Sequence, residues 1–230
     1  MTALGIIVAR GGSKGLPGKN LLPLAGKPLL VHTVEAALGC RALARTILST
    51  EDPEIFAVGR AAGCPAPFVR PAELAGDRSS TVDVALHALD WLASHEQFTP
   101  DVVVLLPATA PLRRADHIED ALETLRDDPS ADAVVAVTEA DYPPYWMLTI
   151  VDSRLEWLLP EQARADHRQE LPLAYRPNGS IYAIRRAVLQ AQRTFYPKAT
   201  APYVMPNEAS VNIDSELDLI RAEILARRRA

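Results

Sequence analysis

An α/β fold, with a mostly parallel sheet flanked by helices, is the class this chain predicts, and two observations carry it. Short apolar runs alternate with amphipathic segments from residue 5 to residue 137. Among those runs, Val102 to Leu106 is unbroken Val and Leu, the composition of a central parallel strand buried on both faces.

The elements follow in order. Gly5 to Ala9 reads as the first strand. Leu29 to Leu38 has apolar residues at helical spacing, and Pro28 suits its first turn. Thr46 to Ser49 is a short strand, Pro53 to Ala62 a helix, and Pro67 to Val69 a further short strand. Thr81 to Ser94 is helical, with Val82, Ala85, Leu86, Leu89 and Leu92 on one face. His117 to Arg126 is a helix and Ala133 to Val137 a buried strand. Residues 138–176 break the rhythm with Tyr142, Tyr145, Trp146 and Trp157 among prolines and charges. Within them Leu148 to Val151 and Leu155 to Leu158 suit a hairpin around Asp152, Ser153 and Arg154. This excursion reads as a protruding dimerisation arm, with a surface lid as the alternative. Ser180 to Ile184 returns to strand character, and Ile213 to Ala226 is the closing helix, with Asp214 and Ser215 near its start.

Composition narrows the function classes. The 230 residues suit one domain over 1–230. A net charge of −5 argues against a nucleic-acid partner, and the arginines at 227–229 read as solvated charges that complement a helix C-terminus. Cys40 and Cys64 make neither a disulfide framework nor a metal cluster. The first residues lack the cationic start of a signal peptide, and no apolar run reaches the ~18 residues of a membrane span. The expectation is a soluble, cytoplasmic protein with no membrane partner.

The densest chemistry lies directly after the first strand. A loop holding Gly11, Gly12, Gly15 and Gly18 also carries Arg10, Lys14 and Lys19. Glycines let backbone N–H groups approach a ligand, and clustered cations repel one another unless an anion sits among them. A polyphosphate is the obvious anion; a plain solvated turn is the alternative. Neither the P-loop pattern nor the Gly-x-Gly-x-x-Gly dinucleotide pattern is present. Three more segments look functional: Phe68 to Thr81, Leu105 to Arg113, and Tyr175 to Tyr182 together with Val211 to Asp218.

Those segments resemble the CMP-sugar synthetases, and most closely the acylneuraminate cytidylyltransferases. The opening pattern Ala-Arg-x-x-Ser-Lys-x-x-x-x-Lys-Asn is met by Ala9, Arg10, Ser13, Lys14, Lys19 and Asn20. Arg-Pro-x-x-Leu-Ala-x-Asp is met from Arg70 to Asp77, and Arg-Pro-Asn-Gly-x-Ile-Tyr from Arg176 to Tyr182. Ile213, Asp214, Asp218 and Leu219 meet Ile-Asp-x-x-x-Asp-Leu. Four motifs in order, from Ile6 to about Leu225, carry the resemblance over nearly the whole chain.

The resemblance implies a Rossmann-like nucleotidyltransferase fold, a homodimer, CTP and an acidic α-keto sugar as substrates, and Mg²⁺ as cofactor. It implies that Arg10, Gly11, Gly12, Ser13 and Lys14 hold the triphosphate, and that Lys19 stabilises the α-phosphate and leaving group, with Arg10 and Asp214 completing the catalytic set. Asn20 is expected at the nucleotide, with an Asx turn as its other reading. Arg70, Ser80 and Thr81 are expected near the cytidine, although Ser79 to Thr81 also reads as a helix N-cap run. Asp214 is the expected metal ligand, with an N-cap as the alternative, and Asn212 stands where relatives often carry a second aspartate. Asp218 reads as a helix-surface residue. Pro107, Thr109, Arg168, Arg176 and Asn178 are expected around the sugar, an arginine suiting its carboxylate; an internal salt bridge is the other reading of Arg176.

Two departures bear on the acceptor. The stretch Leu106 to Arg113 puts Pro107 where sialic acid enzymes carry a glutamine, and Trp146 stands where some carry a lysine. Fewer polar groups for the sugar open the acceptor to a legionaminic or pseudaminic type of nonulosonic acid, or to a smaller phosphonate or acid. Kdo is a separate alternative, since the CMP-Kdo synthetases share the fold and chemistry, and the Arg-Pro-Asn-Gly stretch argues against it. A nucleotide-binding regulator without catalysis is the remaining alternative.

Overall fold

The computed structural model describes every residue except Lys14, Asp77, Arg78, residues 161–166 and residues 229–230. Its central sheet has six strands: β1 (Ala3–Val8), β4 (Arg45–Ser49), β5 (Val102–Pro107), β6 (Ala133–Glu139), β9 (Tyr175–Arg185) and β10 (Thr200–Val204). They lie in the order β10-β6-β9-β5-β1-β4. The pairs β1–β4, β1–β5 and β10–β6 are parallel. β9 runs antiparallel between β5 and β6, so the sheet is mixed, with a parallel majority.

Alternation along the buried strands feeds two cores. Ile7, Val102, Val104 and Leu106 face Leu30, Val34 and Ala37 of α1 (Leu29–Gly39) and Ile118, Ala121 and Leu125 of α4 (Ala115–Asp127). Leu4, Ile6, Val103 and Leu105 face Ala85, Leu89 and Leu92 of α3 (Thr81–Glu96) and Leu189 of α5 (Arg186–Gln192). Each strand is thus apolar on both faces because helices cover both. A helix α2 (Pro53–Ala61) follows β4; its N-cap Asp52 accepts from the N–H groups of Glu54 and Ile55, both at 2.9 Å.

Several sequence expectations change here. No strand forms at Pro67–Val69. Leu48 donates to Pro65 O at 2.8 Å and Arg70 to Thr50 O at 2.8 Å, but Pro65 and Pro67 have no N–H to continue a ladder. β9 starts five residues before the predicted Ser180, at Tyr175, and its pairing with β6 shifts register between Val135 and Val137. β10 went unread because Pro202 interrupts it, which is tolerable on the edge of a sheet. The predicted hairpin is present as β7 (Leu148–Val151) and β8 (Arg154–Trp157), joined by Asp152 and Ser153 at positive φ. A second small hairpin, β2 (Pro23–Leu24) and β3 (Lys27–Pro28), packs against the closing helix α6 (Glu216–Arg227). α6 begins later than predicted, because Ser215 and Asp218 form a capping box. Asp218 is therefore a capping residue rather than a bare surface charge: its Oδ2 accepts from Ser215 N at 2.9 Å and Asp214 N at 3.1 Å.

One buried cation joins these layers. Arg113 is 2% exposed. It donates to Ser180 O on β9, to Thr33 Oγ1 on α1 at 2.9 Å and to Pro107 O at the end of β5 at 3.2 Å. Burial pulls its pKa down to about 9, so it remains charged at neutral pH. Replacing Arg113 with Leu strands those acceptors in the interior. Loss of hydrogen bonds from a charged donor predicts a cost of about 3 kcal/mol, read as a fall in Tm of ~10 °C by calorimetry. An unchanged Tm would mean that β9 is held by its ladder alone.

Candidate active site

β1, β4 and β5 are parallel, so their carboxyl ends open on the same side of the sheet, where ligands of such sheets bind. A cleft of about 290 Å³ lies there. Arg10, Lys19 and Asn20 line it from the loop after β1, and Pro107 and Thr109 from the end of β5. Arg70, Gly76, Ser79 and Thr81 close a further side. The structure thus brings three of the sequence segments to one place. A larger open groove, about 630 Å³, runs along α3 past Trp91 and His95 and shares none of these residues.

The first loop is tied at several points. Gly11 N donates to Glu51 Oε1 at 2.8 Å, and Ser13 N to Gly11 O at 2.9 Å. Arg10 donates to Gly76 O at 3.1 Å. Asn20 is buried in a short helical turn, donates to Arg10 O at 2.9 Å, and has its Oδ1 without a partner among the described residues. It is not an Asx cap; its amide holds the loop's first carbonyl. Gly15 passes over the closing segment so closely that a Cβ there would lie 2.6 Å from Asp214 O, so only glycine fits. Gly11, Gly12 and Ser13 lie on the loop but are not among the cleft-lining residues, and Lys14 lies outside the described residues.

Lys19 reaches the other end of the chain. Its Nζ donates to Asp214 Oδ1 at 2.8 Å and to Ile213 O at 3.0 Å. Lys19 is mostly buried at 14% exposure, whereas Asp214 is 66% exposed. Asp214 also accepts from Asn212 Nδ2 at 2.6 Å, and Asn212 Oδ1 accepts from Thr109 at 2.6 Å. Among the described residues no group of three or more His, Cys, Asp or Glu side chains is gathered as a metal cluster. Asp214 and Asn212 are not among the cleft-lining residues; Asp214 adjoins the cleft through Lys19. One exposed carboxylate there fits Mg²⁺, which takes one or two carboxylates and draws its other oxygens from phosphate and water.

Arg70 is buried beside the loop. It donates to Ser49 Oγ at 3.1 Å, to Ser49 O and to Ala9 O at 3.3 Å, and pairs with Glu51 at 3.6 Å. Burial lowers its pKa, Glu51 opposes that shift, and Arg10 adds to it. Ser80 caps α3 by accepting from Val82 N at 3.1 Å, which is the N-cap reading of that run, while Ser79 and Thr81 line the cleft.

The expected sugar-side residues are more scattered. Pro107 and Thr109 line the cleft; Arg168, Arg176 and Asn178 do not. Asn178 turns inward, donating to Ser210 Oγ at 2.9 Å and accepting from Ser180 N at 3.0 Å. Arg176 pairs with Asp141 at 3.4 Å, the internal salt bridge that was its alternative reading. Arg168 borders a small cavity with Glu139 and Pro143 in the excursion. Sequence reasoning missed Glu51, which bridges the loop amide and Arg70. Its signal was faint: Ser49-Thr-Glu-Asp52 is a polar run at the carboxyl end of a strand.

Fold and site together define a nucleotidyltransferase of the α/β class. A cytidylyltransferase family model matches residues 4–225, and the chain belongs to the cytidylyltransferase family. It is 34% identical to a pseudaminic acid cytidylyltransferase of Campylobacter jejuni, covering 98% of this chain and 96% of that one. It is 33% identical to a CMP-N,N'-diacetyllegionaminic acid synthase of Legionella pneumophila, with the same coverage. An N-acylneuraminate cytidylyltransferase of Escherichia coli is 32% identical over 94% of this chain, which spans half of that relative's length. Among solved structures, a CMP:2-keto-3-deoxy-manno-octonic acid synthetase with CTP superposes at a TM-score of 0.71 and 23% identity, covering both chains fully, a likeness of fold. The chain is thus a CTP-dependent nucleotidyltransferase.

Glu51 gives the first test of this geometry. Glu51→Ala frees the Gly11 amide and leaves Arg70 without its carboxylate. The KM for CTP is expected to rise ~tenfold, with kcat less affected, in a steady-state pyrophosphate assay. A KM within twofold of the parent would remove Glu51 from the site.

Proposed function

We propose that this chain joins CTP to a nine-carbon α-keto acid sugar of the pseudaminic or legionaminic kind, giving a CMP-sugar and pyrophosphate. The observation that carries this reading is the cleft at the strand ends, where Lys19 of the first loop meets Asp214 of the closing segment at 2.8 Å. In the reaction the anomeric hydroxyl oxygen bonds to the α-phosphorus and gives up its proton to solvent water. The bond from that phosphorus to the bridging oxygen breaks, and pyrophosphate leaves with the electron pair. The protein's work is positioning and charge neutralisation. Arg10 and the loop receive the triphosphate, and Lys19 moves from Asp214 toward the oxygens that gain charge. Arg70 braces the nucleotide side through Ser49 and Ala9. Asp214 holds Mg²⁺, which when bound supplies neutralisation of the phosphate charge.

For the acceptor, support comes from the two relatives matched over nearly their full lengths and from Pro107, whose side chain lends the cleft no donor. The reading also includes a homodimer. Every residue of β7 and β8 is exposed, including Ile150 at 73% and Leu155 at 68%. A two-stranded ribbon with such a surface is not stable alone in water, and a second copy of the chain would cover it. No helix among the described residues is long and apolar enough to cross a membrane, and we place the enzyme in the cytoplasm with its CTP.

Pyrophosphate release with CTP, Mg²⁺ and a panel of pseudaminic, legionaminic, N-acetylneuraminic and Kdo acids tests the function. Turnover is expected on a nonulosonic acid, and Lys19→Ala is expected to lower kcat by ~100-fold or more. Preference for Kdo, or silence on all four acids while CTP still binds, would overturn the acceptor assignment. Light scattering tests the dimer: twice the chain mass is expected, with Ile150→Asp shifting it to one chain. A monomeric parent at micromolar concentration would refute it.

A further inference from the structure

We propose that Asn212 is a positioning residue. Thr109 locks its amide so that it gives Asp214 an N–H, and it does not give a cation an oxygen. The site then brings a single protein charge, that of Asp214, to a divalent cation. This rests on the reading of Lys19 and Asp214 as the transfer site.

The argument begins at the amide. Asn212 Oδ1 lies 2.6 Å from Thr109 Oγ1, and Nδ2 lies 2.6 Å from Asp214 Oδ2. A flipped amide would set its oxygen 2.6 Å from a carboxylate oxygen, two acceptors with no proton between them. The carboxylate therefore dictates which end of the amide faces it. Thr109 completes the lock by donating its hydroxyl proton to the oxygen that remains. Asp214 Oδ1 is meanwhile taken by Lys19 at 2.8 Å. The result is a chain of hydrogen bonds from Thr109 through Asn212 and Asp214 to Lys19, running from the end of β5 to the first loop.

The backbone is shaped to fit this arrangement. Gly179 has φ +70, and a Cβ built on it would lie 3.1 Å from Asn212 Oδ1 and 3.3 Å from Cγ. A side chain there would be strained and would press on the amide, so the glycine of the Arg-Pro-Asn-Gly stretch leaves room for Asn212. Residues from each of three otherwise separate motifs meet at this one amide.

Charge gives the consequence. Asp214 and Lys19 neutralise one another, and the neutral amide lets the carboxylate stay in place without a cation. A carboxylate at position 212 would sit within contact of Asp214, and two ionised carboxylates so close need a cation or a proton between them. Asn212 thus makes the empty site self-sufficient, and the divalent ion arrives with the phosphates that supply the rest of its shell.

The binding test uses Mn²⁺ as the probe, and neither it nor the melting test contains an acceptor, so that both fail independently of the acceptor assignment; the kcat comparisons use whichever acid the parent turns over. Manganese binding is followed by electron paramagnetic resonance, and melting by calorimetry, with and without Mg²⁺. Without nucleotide, Asn212→Asp is expected to bind Mn²⁺ at least ~tenfold more tightly than the parent. It should melt lower than the parent in chelator and recover when Mg²⁺ is added, while the parent's Tm is indifferent to Mg²⁺. With CTP, Asn212→Ala is expected to keep the parent's Mn²⁺ affinity within about threefold while kcat falls ~tenfold. Equal Mn²⁺ affinity in the parent and Asn212→Asp would overturn the proposal. So would a tenfold loss of Mn²⁺ affinity in Asn212→Ala, which would make Asn212 a ligand. Thr109→Ser should retain the parent's kcat and Thr109→Val should not; equal rates in both would also refute the lock.

Discussion

Arg113 sits at the junction of β5, β9 and α1, and its hydrogen-bond partners among the described residues are carbonyl and hydroxyl oxygens. A buried charge held by backbone carbonyls, here with its Nε left without a partner among the described residues, demands that those carbonyls stay where they are. Ser180 O is one of them, and it belongs to the antiparallel strand wedged into an otherwise parallel region. Pro107 O is another, and it closes the wall of the cleft. The cation therefore couples the irregular strand to the side of the sheet that carries the cleft. With β9 in register, Asn178 turns inward and Gly179 leaves space for Asn212.

From that frame the site is assembled by electrostatics over long sequence distance. The first loop and the segment before α6 meet at Lys19, Ile213 and Asp214, at the close pass of Gly15, and where Leu16 packs against the cluster holding Val211 and Ile213. The α6 capping box fixes the backbone of this segment, since Asp218 accepts from Asp214 N as well as Ser215 N. On the opposite wall Glu51 performs the matching task, holding the Gly11 amide while facing Arg70. The cleft thus has a carboxylate partner for each of its two inner cations.

The acceptor side is less complete within one chain. Arg168 and Arg176, the cations expected for a sugar acid, stay with the excursion and its neighbours. The apolar hairpin beside them is exposed throughout.

The amino-acid sequence by itself determined the alternating elements, because apolar period and length are local properties of the strands and helices. It also marked the first loop as a candidate anion site, because Gly and cation spacing is read without tertiary contacts. Glu51 and Arg113 were not legible, since a lone carboxylate or arginine acquires meaning only from what the fold sets against it. Pro67–Val69 looked like a strand until the lack of donors at Pro65 and Pro67 was weighed against a neighbouring ladder. Asn178 and Asn212 belong to the same motif pair, yet only the fold decides that one amide turns into the core and the other faces a carboxylate. Tertiary structure decided these points because each depends on a partner tens to hundreds of residues away, and hydrogen-bond direction is set by that partner.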